Sequence, residues 1–115
     1  MRDVTKRLLD IHKAIAHIES DTDKGRQAFD EDEKIQVWVI YHLMVIGEAV
    51  RGLPQQFKDG YSHVPWREIS GMRDILIHKY FATDNNIVWL VVERDIPVLK
   101  AVVDANLNEE DIDSN

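Results

Sequence analysis

Apolar residues return at steps of three and four along the start of the chain: Met1, Val4, Leu8, Ile11, Ile15 and Ile18. That period places one apolar stripe on a helix and predicts a first helix from Asp3 to about Ser20. The stripe packs within its own bundle or, since its spacing is heptad-like, against a helix of another chain. From Ser20 to Asp30 the pattern lapses into a turn-forming cluster, Asp-Thr-Asp-Lys-Gly. Negative charge across Asp30 to Lys34 then favours a helix start. The second helix is predicted from about Glu31 to Arg51, with two adjacent apolar lines. One is Ile35, Trp38, His42, Val45, Ala49 and Gly52; the other is Val39, Leu43, Ile46, Val50 and Leu53. As the most apolar helix it belongs at the centre of a bundle. Gly47 in its interior costs ~1 kcal/mol relative to Ala, which close contact with another helix offsets. Gly52-Leu53-Pro54 ends it.

Gln55 to Val64 reads as a connection with one short turn and Tyr61 packed at its end. Pro65, tolerated in a first turn, opens a third helix that runs through Met72-Arg73-Asp74-Ile75-Leu76-Ile77-His78-Lys79-Tyr80. Thr83-Asp84-Asn85 offers capping oxygens for a fourth. Its buried side is read as Ile87, Leu90, Val91, Val98, Ala101 and Val102, with Pro97 kinking or loosening it. Four helices with short connections predict an all-α, antiparallel four-helix bundle over residues 1–105, with a short extra turn between helices 2 and 3. Residues 106–115 are polar and acidic and are expected to form a flexible tail.

Composition narrows the setting. A chain of 115 residues is one domain, and it has no cysteine for a disulfide or a zinc–thiolate site. The charged start Met1-Arg2-Asp3 lacks the apolar core of a signal peptide, and no run approaches the ~20 apolar residues of a membrane helix. A soluble, cytoplasmic protein is expected. The net charge of −7 speaks against a general nucleic-acid binder. Its distribution softens that: much of the acid lies in Glu19 to Glu33 and after Val103. Between Arg51 and Tyr80, Arg51, Lys58, Arg67, Arg73 and Lys79 face only Asp59, Glu68 and Asp74, which allows a positive cleft on an acidic body.

The third helix gathers the candidate chemistry. With Arg73 at ~0°, Asp74 falls at ~100°, His78 at ~140° and Tyr80 at about −20° around the axis. Met72, Ile75 and Leu76 lie opposite, at roughly 200–300°. Lys79 falls on that apolar side and must reach out along its stem. These residue types suit phosphodiester chemistry without a metal. Histidine moves a proton near neutrality, arginine offers a fork that fits phosphate oxygens, and RNA supplies its own nucleophile in the 2′-hydroxyl. One helix carries one such His and one such Arg, so two copies meeting in a symmetric dimer complete a site more easily than one. Asp74, four residues from His78, is placed to fix its ring. Glu48 either orients a side chain of this face or is a solvated carboxylate. His12 and His17 are read as surface residues, His42 as a hydrogen-bonded core histidine, and Trp66 as an anchor. The bland alternative is that Arg73 pairs with a carboxylate, His78 closes a polar patch and Tyr80 packs with its hydroxyl at the edge.

The spacing Arg73-x4-His78-x-Tyr80 resembles the RxxxxHxY motif of HEPN-domain ribonuclease toxins of the HepT type. Ile46-Gly47-Glu48-Ala49 resembles their second-helix IGEA, and Val64-Pro65-Trp66-x2-Ile69-x-Gly71-Met72-Arg73 their PW-x2-I-x-GMR run. Ile87-Val88-Trp89 resembles the start of their fourth helix. One departure is Asp74, where many members carry Asn; aspartate keeps an acceptor and loses the amide donor. The resemblance implies a metal-independent endoribonuclease toxin of a type VII-like HEPN/MNT toxin–antitoxin system, acting as a homodimer on RNA, with transfer RNA a plausible target. It needs no cofactor for cleavage. Arg73 and His78 would be catalytic, with Asp74 and Glu48 supporting. The resemblance further implies a cognate minimal nucleotidyltransferase antitoxin, MntA-like, that uses ATP and Mg2+ to AMPylate Tyr80. From a different class, the same face would serve a non-catalytic nucleotide-binding or adaptor subunit of a two-component nucleotidyltransferase.

Overall fold

The stripe of the first helix is the seam on which the bundle closes. The computed structural model describes residues 2–78 and 84–113, with residues 2, 77 and 78 described in backbone only. In chain order the helices are α1 (Arg2–Asp21), α2 (Arg26–Glu31), α3 (Glu33–Arg51), α4 (Gln55–Asp59), α5 (Trp66–His78), α6 (Asn85–Leu90), α7 (Ile96–Asn106) and α8 (Glu109–Asp113). A π-helical segment, Val91–Asp95, joins α6 to α7. No strand occurs among the described residues.

Helix α1 buries Val4, Leu8, Ile11, Ile15 and Ile18 as its spacing predicts; Met1 lies outside the described residues. It runs antiparallel to α3, with Arg7 against Gly52 at one end and His17 against His42 nearer the other. It also runs antiparallel to α7, where Lys100 donates to Glu19 at 2.9 Å and His12 stands 3.9 Å from Asp104. Ile11, Ile18, Ile46 and Leu99 are completely buried. Each such side chain contributes ~1.5–3 kcal/mol, so this seam outweighs any exposed ion pair at ~0–1 kcal/mol.

Helix α3 is central, as expected, and packs on both α1 and α5. Asp32 caps it, accepting from Lys34 N at 2.9 Å and Ile35 N at 3.4 Å. Of its two apolar lines, Val39, Leu43, Ile46, Val50 and Leu53 are all buried. The other line is mixed: His42 and Ala49 are buried, Ile35 and Val45 only partly so, and Trp38 is 54% exposed. The expected extra turn is α4, which Trp66 ties to α5 by donating its indole N–H to the carbonyls of Lys58 (3.1 Å) and Tyr61 (3.0 Å). Trp66 is therefore an anchor.

Three elements differ from the pattern. The turn before α3 ends at Gly25, whose φ of +91° suits glycine, but the chain then forms α2. Phe29 explains it: it is fully buried, its ring 5.3 Å from that of Trp89. Beyond Leu107, α8 is a short helix whose start is closed reciprocally by Asn108 and Asp111. In the last long helix, Ile87 (58%) and Leu90 (41%) are exposed, and Ala101 is exposed too. Val91 and Val102 are buried as read, and Val98 is partly buried. Val88, Ile96, Leu99 and Val103 join them, and along Val88, Val91, Ile96, Leu99 and Val103 the steps are three, five, three and four. The step of five spans the π-helical segment, where the Ile96 N–H bonds to the Val91 carbonyl. Pro97 causes it. With no N–H and a ring that collides with the carbonyl four residues back, it cannot continue a regular α-turn.

Candidate active site

Ile69 and Leu76 enter the core from α5, which rotates Arg73 and Asp74 to its rim. Ile75, expected on the buried side, is instead 57% exposed beside Asp74. At ~100° per residue it lies between the core-facing and polar sides, and it falls outward. Gly47 lets α3 come close: a Cβ there would stand 3.1 Å from the Ile69 carbonyl oxygen and 3.2 Å from the Arg73 Cβ. The next residue on α3, Glu48, is thereby brought to Arg73.

The result is a charge quartet from two helices. Glu48 Oε2 lies 2.7 Å from Arg73 Nε. Asp74 Oδ1 lies 3.2 Å from Arg73 Nη1, and its Oδ2 lies 3.0 Å from Arg51 Nη2. Side-chain exposures are 34% for Arg73, 58% for Glu48, 51% for Asp74 and 50% for Arg51, so all four are open to solvent. Exposed pairs of this kind contribute ~0–1 kcal/mol each, so the quartet does little for the fold. It does fix a permanently charged, partly exposed guanidinium in place.

Three of the residues singled out in the sequence, Arg73, Asp74 and Glu48, therefore come together. Asp74 is read from spacing as the partner of the His78 ring; its described contacts are to Arg73 and Arg51. The backbone of α5 reaches His78, placing it on the same helix one turn beyond Asp74. Its side chain, and residues Lys79 and Tyr80, lie outside the described residues. Arg51 is the participant that sequence reasoning missed as a site residue. The available signal was its position three residues after Glu48, one turn along the same helix.

A second titratable cluster sits where α1 meets α3. His42 is 7% exposed and lies between rings: His17 at 4.6 Å with planes 3° apart, and Trp38 at 5.4 Å and 15°. Burial pushes its pKa below the ordinary 6.5; His17 adds to the drop, and Asp21 opposes it. The folded chain thus resists protonation that the unfolded chain accepts. Stability is complete above about 6.5 and falls as pH drops through the interval down to the lower folded-state value. His42→Phe, which keeps a ring in the stack, is expected to flatten the Tm-versus-pH curve in that interval. An unchanged slope would assign the dependence elsewhere.

A groove of about 500 Å³ between α1 and α7, floored by Ile18 and Ile96 and crossed by Glu19 and Lys100, shares no residue with the quartet. Among the described residues no helix is long and apolar enough to cross a membrane.

The all-α bundle is consistent with the fold of HEPN-type proteins. The chain belongs to the HepT-like family, described as "Ribonuclease HepT-like", which it matches over residues 11–105. It is similar to "Probable ribonuclease HepT" of Thermococcus cleftensis, 44% identical over 96 residues, covering 81% of this chain and 86% of that one. It is also 39% identical over 104 residues to "Putative RNase MJ1380" of Methanocaldococcus jannaschii, covering 90% and 95%. A third relative, from the same organism, is named "Gamma-glutamylcyclotransferase and putative RNase MJ0434". Identity there is 41% over 115 residues, 99% of this chain, which spans about half (52%) of that protein. No solved structure matches the chain.

Proposed function

We propose that the chain is a metal-independent endoribonuclease and the toxin of a toxin–antitoxin pair. The observation that carries this is Arg73, its side chain about one-third exposed and its guanidinium held at 2.7 Å by Glu48, within the motif Arg73-x4-His78-x-Tyr80. In the reaction, the 2′-oxygen attacks the adjacent phosphorus while the bond to the 5′-oxygen breaks. The 2′-hydroxyl proton leaves to a base and a proton is given to the 5′-oxygen. The products are a 2′,3′-cyclic phosphate and a 5′-hydroxyl. His78 carries one of these transfers, worth ~10²–10⁴ in rate, and the His78 of a second copy carries the other. Arg73 holds the phosphate and offsets the charge that grows on its oxygens. A homodimer brings the two motif helices together. Exposed Ile75, one residue past Asp74, gives that meeting an apolar contact.

Control falls to a minimal nucleotidyltransferase that moves AMP from ATP to Tyr80, releasing pyrophosphate with Mg2+ as its own cofactor. On the helix that the sequence predicts, ~100° per residue would bring Tyr80 to nearly the azimuth of Arg73, so the added phosphate would compete with RNA for that guanidinium. Transfer RNA is the substrate we favour. The second reading, an adaptor subunit without catalysis, draws on the two carboxylates already on Arg73 and on the net charge of −7.

The test is incubation of the protein with total cellular RNA in EDTA. Wild type is expected to generate cyclic-phosphate ends and His78→Ala to generate none; equal product from both defeats the proposal. With partner and Mg-ATP, the intact mass of wild type is expected to rise by AMP units and that of Tyr80→Phe to stay constant. Equal gains would place the modification on another residue.

A further inference from the structure

Asp74 bridges two arginines on different helices: one carboxylate oxygen meets Arg73 at 3.2 Å, the other meets Arg51 at 3.0 Å. A carboxylate carries one negative charge on two oxygens, and so does a phosphodiester. Guanidinium N–H groups donate to either. The two arginines are thus held at the spacing that a single anion with paired oxygens can span. Arg51 is the last residue of α3, half exposed, and Asp74 is its ion-pair partner among the described residues. A pair this exposed contributes ~0–1 kcal/mol, too little to explain it as a brace between helices. On a chain of charge −7, a second cation tied to the motif is what an RNA backbone requires.

We infer that Arg51 contacts an RNA phosphate, forming with Arg73 a two-guanidinium clamp that Asp74 keeps in register until RNA arrives. This rests on the ribonuclease reading and adds a binding residue to it. RNA displaces the Asp74 carboxylate from one or both forks, exchanging one anion for another without leaving either arginine uncompensated. Arg73 serves the scissile phosphate, and Arg51 serves that phosphate or its neighbour on the strand.

The probe is a fluorescent, 2′-O-methylated single strand of mixed sequence, which binds and cannot be cut. Its affinity is measured against salt for wild type, Arg51→Ala and Arg51→Lys. Arg51→Ala is expected to bind about tenfold more weakly, as for one lost charge-assisted hydrogen bond. The slope of log affinity on log salt is expected to fall by ~0.7, one phosphate contact on a single strand. Arg51→Lys, which keeps the charge, is expected to keep the slope. On an unmethylated strand, Arg51→Ala is expected to lower kcat/KM about tenfold, in step with the loss of binding. An unchanged slope overturns the inference, whether or not kcat falls, and so does an absence of binding by wild type. Wild type that binds with an Arg51-dependent slope yet cleaves nothing would sink the ribonuclease reading and leave the clamp standing.

Discussion

Arg73→Ala is expected to lower the RNA cleavage rate by ~10²–10³ while leaving the fold intact, the loss that follows removal of one preorganised donor to a developing oxyanion. The two effects separate because of where the side chain sits. Its partners Glu48 and Asp74 are 58% and 51% exposed, so neither becomes a buried, uncompensated charge when the guanidinium goes. Asp74 keeps Arg51. The stability change is therefore expected within ~1 kcal/mol. Arg73→Lys keeps the charge and loses the fork, so it is expected to fall between wild type and Arg73→Ala. Steady-state cleavage and thermal unfolding on the same samples check this. A rate within a few-fold of wild type, with the fold unchanged, would make Arg73 a surface residue and nothing more.

The second large effect is expected at Gly47. Gly47→Val is expected to destabilise by about 1–3 kcal/mol and to depress cleavage as well. An added Cβ meets the Ile69 carbonyl oxygen at 3.1 Å and the Arg73 backbone nitrogen at 3.4 Å. Those are backbone atoms of α5, so relief comes only by moving that helix as a whole. Replacing glycine in a helix interior returns ~1 kcal/mol of propensity, which a lone methyl can nearly balance against a small shift. The two further methyls of valine cannot be placed so cheaply. Because the same shift carries Arg73 away from Glu48, activity and Tm are expected to fall together. Loss of Tm with full activity would show that the close approach does not position the site.

Much of this was legible in the sequence where a period or a cap spoke. The stripe of α1 and the line Val39, Leu43, Ile46, Val50 and Leu53 are spaced for one buried face, and both are buried. Gly47 marked the close helix contact before its neighbour was known. Legibility failed where a single long-range contact decided the outcome. Phe29 is the one large apolar residue of the mostly polar stretch from Glu19 to Lys34, and its meeting with Trp89 makes α2 an element of the bundle. Trp38 shares a line with buried His42 yet is exposed, since a line at the edge of a helix face is shared between core and water. At the site, the motif placed Arg73 and Asp74 side by side through helix geometry alone. The pairing of Asp74 with Arg51, 23 residues earlier, follows from how α3 crosses α5, which no spacing within one helix encodes.

The wide turn ahead of Pro97 has a consequence for how this chain tolerates insertions and deletions. Removing one residue from a helix ordinarily swings everything beyond it by ~100° and throws its apolar side into water. In Val91–Asp95 the opposite holds, because the step of five between Val91 and Ile96 would shorten to four. Val88 through Val103 would then follow a regular α-helical rhythm, and what opposes the trimming is the proline ring, at ~3 kcal/mol in an unbroken helix. The last helix thus carries a spare residue, a place where chain length can drift without turning the bundle inside out.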